Sequence, residues 1–194
     1  MLLKQILAAR GIHYIVTRFG PKRLRSLAFD AKYERGDWNF TGEDSDELPS
    51  IVRAYARNGD LLILGCGRAA ILASFEATEF SSVLGVDLSE EAVRLAGRFA
   101  NGNISFVVGD MLNLQLSRLY DVILFSESFN YVPSSKQLDL LKKLSSQLKL
   151  GGAIIVTLAQ AERYHAIIEL IRGSFQMLED RSFSGSKRHL LVFR

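Results

Sequence analysis

Cysteine, proline and histidine are all scarce in this 194-residue chain, which has one, three and three of them respectively. The single thiol, Cys66, excludes an intrachain disulfide and a thiol-rich metal cage. None of His13, His165 and His189 has a partner at metal-ligand spacing, so no metal site is expected, although His165 is placed where it could reach a pocket. Long apolar runs are missing as well. The runs present are strand-sized, as at Ala153–Val156, far short of the roughly 18–20 residues of a membrane span. The leading MLLKQILAARG is too short in its apolar stretch, and too soon interrupted by charge, for a signal peptide. There is no internal repeat and no low-complexity tract. A cytoplasmic enzyme or binding protein is the expectation.

What is present suits one globular domain: 48% apolar residues, 10% aromatic and 23% charged. The net charge of +3 hides an uneven distribution. Residues 1–35 carry eight basic side chains against Asp30 and Glu34, whereas residues 36–50 carry Asp37, Glu43, Asp44, Asp46 and Glu47. Such a basic arm reads most plainly as a solvated helix face, and otherwise suits nucleic acid, an anionic membrane surface or an acidic substrate. Nucleic acid is not expected, because the arm is sparser than a phosphate-tracking stripe.

From Asp60 onward, short β-branched runs alternate with helical patterns. Strands are expected at Leu61–Leu64, Val83–Val86, Ile104–Val108, Val122–Phe125 and Ala153–Leu158, with helices near 69–79, 90–100, 135–149 and 160–173. That alternation implies βαβ units and a parallel sheet covered on both faces. Two further extended runs, Phe175–Phe183 and His189–Phe193, have only a turn between them and read as a hairpin. The expected fold is therefore α/β and doubly wound: a mostly parallel seven-stranded sheet, a C-terminal antiparallel hairpin, and an N-terminal helical extension over residues 1–50 preceding a domain over 51–194.

Three strand tips carry chemistry. Leu61–Leu64 runs into Gly65-Cys66-Gly67, a turn whose free N–H groups and missing side chains let a ligand approach the backbone. Asp87 closes the next strand, where a carboxylate can accept from both hydroxyls of a ribose. Ser89 reads as the N-cap of the following helix, with Glu90 and Glu91 in its first turn. Asp110 follows the third strand in Gly109-Asp110-Met111. The carboxyl ends of adjacent parallel strands are where open α/β sheets bind ligands, and the three tips together have the outline of an adenosine site. The looser fingerprint Gly65-x-Gly67-x-x-Ala70 also admits a dinucleotide, against which stand the terminal hairpin and about 60 residues before the first strand.

Over about residues 58–194 the chain resembles the class I S-adenosylmethionine-dependent methyltransferases. The resemblance is carried by Leu64–Ala69, Asp87, Gly109-Asp110-Met111, the stretch Tyr120–Ser126 and the turn Leu148-Lys149-Leu150-Gly151-Gly152. It implies S-adenosyl-L-methionine as cofactor. Gly65, Cys66 and Gly67 would line its methionine part, with Asp87 on the ribose and Leu88 beside the adenine. Asp110 would meet the adenine amino group, Met111 would pack on the ring, and Ser126 would lie near the transferring methyl. Cys66 reads as a small spacer, since a nucleophilic thiol needs an activating base. Two positions depart from the family pattern: Leu64 stands where an acid usually orders the loop, and Ala69 where a third glycine is usual.

The loop Ser126-Glu127-Ser128-Phe129-Asn130-Tyr131-Val132-Pro133 should face the acceptor. It lacks the Pro-Pro-aromatic signature of enzymes acting on exocyclic base amines, and resembles the Ser-Glu-x-x-x-Tyr form of small-molecule methyltransferases, including those of amino sugars. Glu127 then binds an amine or serves as base, and Tyr131 shapes the pocket, against the plainer alternative of a solvated loop acid and a packing aromatic. Trp38, in an aromatic stretch with Tyr33 and Phe40, is placed as a cofactor-covering lid residue, with packing on the sheet edge as an equal alternative. The expected activity is methyl transfer to oxygen or nitrogen of a small molecule, a saccharide among the candidates. A non-catalytic adenosyl-ligand binder and a nucleic-acid methyltransferase stand as alternatives.

Overall fold

The four apolar residues Leu61, Leu62, Ile63 and Leu64 divide between two cores. Leu61 and Ile63 point into one cluster, and Leu62 and Leu64 into another on the opposite side of the same sheet. Alternation with both faces buried is what a central strand of a two-sided parallel sheet requires. A computed structural model describes residues 2–37, 47–183 and 186–194.

The strands are β1 (Asp60–Leu64), β2 (Ser82–Asp87), β3 (Ile104–Val108), β4 (Tyr120–Ser126), β5 (Leu148–Leu158), β6 (Met177–Ser182) and β7 (His189–Phe193). They form one seven-stranded sheet in the order β3-β2-β1-β4-β5-β7-β6. Strands β1 to β5 pair in parallel, and β7 runs antiparallel between β5 and β6. The chain reverses direction across the sheet between β1 and β4. That switch point opens a crevice above the carboxyl ends of the strands.

Helix α4 (Glu47–Ala56) buries Leu48, Ile51 and Val52 against one face, while α6 (Ser134–Ser145) and α7 (His165–Ser174) bury Leu140, Leu141, Leu144, Ile167, Ile168 and Ile171 on the other. The division expected at residue 50 falls inside α4. Before it come α1 (Leu2–Ala8), α2 (Arg10–Phe19) and α3 (Lys22–Glu34). They join the domain through α5 (Glu90–Ala96). The buried Asp30 of α3 accepts from the Ser89 hydroxyl at 2.6 Å and from the Glu91 N–H at 3.2 Å, while Ser89 Oγ accepts from the Ala92 N–H at 3.0 Å as N-cap.

The helix expected near 69–79 does not form. A single 3₁₀ turn over Ala70–Ser74 replaces it, after which Phe75 is extended and its ring meets Phe80 edge-on at 5.0 Å. Ala69, at the would-be N-cap, has φ 53° and ψ 37° and no side chain able to cap. A methyl-bearing residue in the left-handed region costs roughly 1–2 kcal/mol, and Ala69 is fully buried besides. Ala69→Val is expected to destabilise the fold by about 2–4 kcal/mol in chemical denaturation, since a β-branched side chain adds overpacking to that strain.

Candidate active site

The glycine turn is ordered without an acid at position 64. Leu64 points into the core and is wholly buried. The turn is held by its neighbours instead: the Gly65 and Cys66 N–H groups donate to the Val86 carbonyl at 2.8 and 3.0 Å, and the Ser128 hydroxyl donates to the Leu64 carbonyl at 2.6 Å. Gly65 and Gly67 have φ of +67° and +54°, a conformation only glycine adopts without strain. The Cys66 thiol is buried and pushed well above its ordinary pKa by that burial, so it stays protonated.

Asp87 stands at the centre of the site. Its carboxylate accepts from the Gly67 N–H at 2.8 Å and from the Ser89 N–H at 2.9 Å, locking the turn to the start of α5. Burial pushes its pKa up to about 6, against the pull of those two N–H groups, with a smaller upward push from the Asp30 carboxylate.

Asp87, Leu88, Asp110, Met111, Ser126, Glu127 and Tyr131 all line one cavity of about 470 Å³, together with Gly65, Cys66 and Gly67. Helix α3 forms its opposite wall. Arg25 reaches Asp110 with guanidinium–carboxylate distances of 3.4 and 3.5 Å, Phe29 meets the Tyr131 ring edge-on at 5.3 Å, and Tyr33 lies over Gly67. These three residues recur every four positions, which puts them on one face of α3. That spacing was visible in the sequence, but a solvated face and a site-covering face read alike until the strand tips are set beneath it. Trp38 lies outside the described residues.

At the far end, Glu127 follows β4 with φ 55°, an unfavourable conformation for its residue type, and lines the cavity. Its carboxylate lies 2.9 Å from the Arg188 guanidinium beside β7 and accepts from the Ala159 N–H after β5. Burial pushes the Tyr131 phenol up to about 12, so it is a neutral hydroxyl at physiological pH. Arg163 completes this end, its guanidinium 5.7 Å from the ring centroid of Tyr14 in α2 and 5.8 Å from that of Tyr164. Arg25, Arg163 and Arg188 carry no local sequence signature and come from three separate segments. His165, placed by the sequence within reach of the pocket, does not line it; its side chain is exposed and 3.9 Å from Glu169 on its own helix. Among the described residues there is no cluster of three metal-ligating side chains.

Residues 61–152 match a family described as a methyltransferase domain. The human EEF1A lysine methyltransferase 2 is 27% identical over 179 residues, covering 78% of this chain and 74% of that protein. Among solved structures, N-methyltransferase NodS from Bradyrhizobium japonicum, in complex with S-adenosylhomocysteine, aligns with a TM-score of 0.67 and 17% identity over 86% of this chain and 97% of its own. An S-adenosylmethionine-dependent methyltransferase from Clostridium acetobutylicum aligns with a TM-score of 0.66 and 16% identity, covering 84% and 96%.

Proposed function

We propose that the chain works as a class I, Rossmann-like S-adenosylmethionine-dependent methyltransferase, a reading supported by its matched domain and its sheet, and that it methylates oxygen or nitrogen of a small neutral or anionic molecule, saccharides included, in a cytoplasmic setting. The observation that carries this reading is the convergence of the glycine turn, Asp87, Asp110 and the Ser126–Tyr131 loop on a single cavity. Its volume falls in the range of small-molecule sites.

The residues present fit the cofactor. A buried carboxylate at a strand tip suits a ribose, and Leu88 and Met111 offer apolar surface for an adenine. At Gly65, a side chain would fill the cradle. When bound, S-adenosylmethionine supplies a methyl group already activated on a positively charged sulfur. The chain's own task is then alignment and exclusion of water, worth several orders of magnitude for a displacement with little other chemistry to perform. Arg25 holds Asp110 in place at the adenine end. Phe29, Tyr33 and Tyr131 close the side facing α3, in the manner of a lid.

Glu127 serves this reading as a positioning group. A carboxylate against a guanidinium is a poor proton acceptor, and its bond to the Ala159 N–H ties the loop after β4 to the end of β5. Tyr131 keeps its proton and so shapes the pocket or donates a hydrogen bond. Transfer without a dedicated base suits an acceptor atom that is already nucleophilic, such as a carboxylate oxygen or a neutral amine, an amino sugar's nitrogen included.

A second reading, methylation of a protein lysine, draws on the human relative. Tyr131 and Tyr164 offer it aromatic walls, whereas Arg163 and Arg188 set against the acid Glu127 at the same end favour a neutral or anionic acceptor.

Thermal unfolding with S-adenosylmethionine, S-adenosylhomocysteine and a nicotinamide dinucleotide in parallel tests the cofactor part. The two adenosyl ligands at about 100 times their Kd should add about 2.7 kcal/mol to the native state, a rise of several degrees. Stabilisation by the dinucleotide alone would overturn the reading. Transfer of labelled methyl to a panel of amines, carboxylates and sugars, run beside lysine-containing peptides, decides the acceptor class; labelling confined to the peptides selects the second reading.

A further inference from the structure

Helix α2 is built inside out. Its polar residues His13 and Thr17 are buried, at 7% and 2% exposure, while Ile12, Ile15 and Phe19 stand out at 41%, 59% and 74%. At 100° per residue those three side chains fall within about 60° of one another, roughly opposite the His13–Thr17 side. On the inner side Thr17 donates to the His13 carbonyl at 2.7 Å, and the His13 ring meets Phe29 edge-on at 5.7 Å. Neighbouring α1 exposes Leu3 and Ile6 at 53% and 44%. An arrangement that turns isoleucine and phenylalanine outward while burying histidine is not a misplaced core face, because α2 already has a buried inner side through His13 and Thr17.

The charge of this region is one-sided. Residues 1–29 hold six basic residues and not one acid. Lys22 and Arg23, which follow Phe19 at the start of α3, are both exposed. Lys4 pairs with Glu34 of α3 and Arg25 with Asp110, which leaves Lys22 and Arg23 as the exposed cations beside Phe19; apolar side chains flanked by such cations are the composition that seats a helix in the plane of an anionic lipid surface, with apolar groups below the headgroups and basic ones among them. Among the described residues no helix is long and apolar enough to cross a membrane, so such contact would be interfacial.

We propose that the outer face of α2, centred on Ile12, Ile15 and Phe19 and flanked by Lys22 and Arg23, docks the protein on an anionic membrane surface. The charge decides for lipid over a second copy of this chain, because two identical faces of the same sign repel. Docking also orients the site. A different side of α2 holds Tyr14 against Arg163, and Arg18 there donates to the Asn130 carbonyl in the acceptor loop at 3.3 Å, so the acceptor end lies beside the membrane-facing surface. The proposal stands apart from the acceptor reading.

Flotation of the full chain with vesicles tests it. The protein should float with phosphatidylcholine vesicles containing about one-third phosphatidylglycerol, and at least tenfold less with phosphatidylcholine alone or at about 1 M salt, where screening shortens to roughly 3 Å. Ile15→Glu with Phe19→Glu should abolish flotation, and Lys22→Glu or Arg23→Glu should each lower it several-fold. All these side chains are exposed and none lines the cavity, so S-adenosylhomocysteine affinity should be unchanged and would report a folding failure directly. Equal flotation of wild type and the Ile15→Glu/Phe19→Glu variant overturns the proposal. So does sedimentation showing a dimer that the same variant dissociates, which would assign the face to a second copy.

Discussion

Asp87→Ala is expected to weaken S-adenosylhomocysteine binding by about 10²–10³-fold, the equivalent of losing charge-assisted hydrogen bonds of roughly 1.5–3 kcal/mol each. Calorimetry across pH gives the sharper test. In the ligand-free protein burial holds the Asp87 pKa at about 6, and the ionised carboxylate is the form that accepts from two hydroxyls. Wild-type affinity should therefore be level above about pH 7 and fall as pH drops through 6, by up to tenfold per unit; the variant should lose that dependence. The same shift has a consequence for stability. The native state holds this proton more tightly than the unfolded chain, so the group's contribution favours the fold at low pH and is lost as pH rises through about 6. Relative to wild type, Asp87→Ala should accordingly gain stability between about pH 4 and pH 7. Unchanged affinity in the variant would remove Asp87 from the site.

The two glycines of the turn should respond differently to the same methyl. A Cβ on Gly65 would lie 2.5 Å from Ser128 Cβ, and Ser128 is pinned to the Leu64 carbonyl by its hydroxyl. Neither atom can retreat, so Gly65→Ala combines left-handed backbone strain with overpacking, about 2–4 kcal/mol. At roughly 2–4 °C per kcal/mol for a chain of this size, Tm should fall by about 5–15 °C. A Cβ on Gly67 meets only the Tyr33 hydroxyl, at 2.7 Å, with the next ring atom at 3.6 Å. Gly67→Ala should therefore be partly rescued by Tyr33→Phe, whereas Gly65→Ala should not. Equal rescue of both would mean that Tyr33 does not close over Gly67 in solution.

Much of the frame was readable from the chain. Leu61–Leu64 could be a core strand from composition alone, and Gly65-Cys66-Gly67 could be the turn after it, because a buried apolar run followed by glycines has few other outcomes in an alternating β/α pattern. Ser89 as N-cap followed from its own chemistry. The stretch 69–79 reads as a helix because its apolar periodicity is genuine; propensity does not register that Ala69 must turn left-handed before the run begins. Leu64 looked like a loss to the loop, yet the Ser128 hydroxyl and the Val86 carbonyl hold the turn, and neither is adjacent to it in sequence.

Local order along the chain was enough for the strands, the parallel sheet with its terminal hairpin, and the acids at the strand tips, since these depend on hydrophobic period, turn residues and chain direction. Tertiary structure alone decided what faces them. Arg25 on Asp110, Tyr33 over Gly67, Arg188 on Glu127 and the outward turn of Ile15 and Phe19 all join segments far apart in sequence. The physical reason is that a helix face carries no label for its partner. Whether arginine, isoleucine or histidine points inward is settled by the burial and hydrogen bonds available where the helix comes to rest.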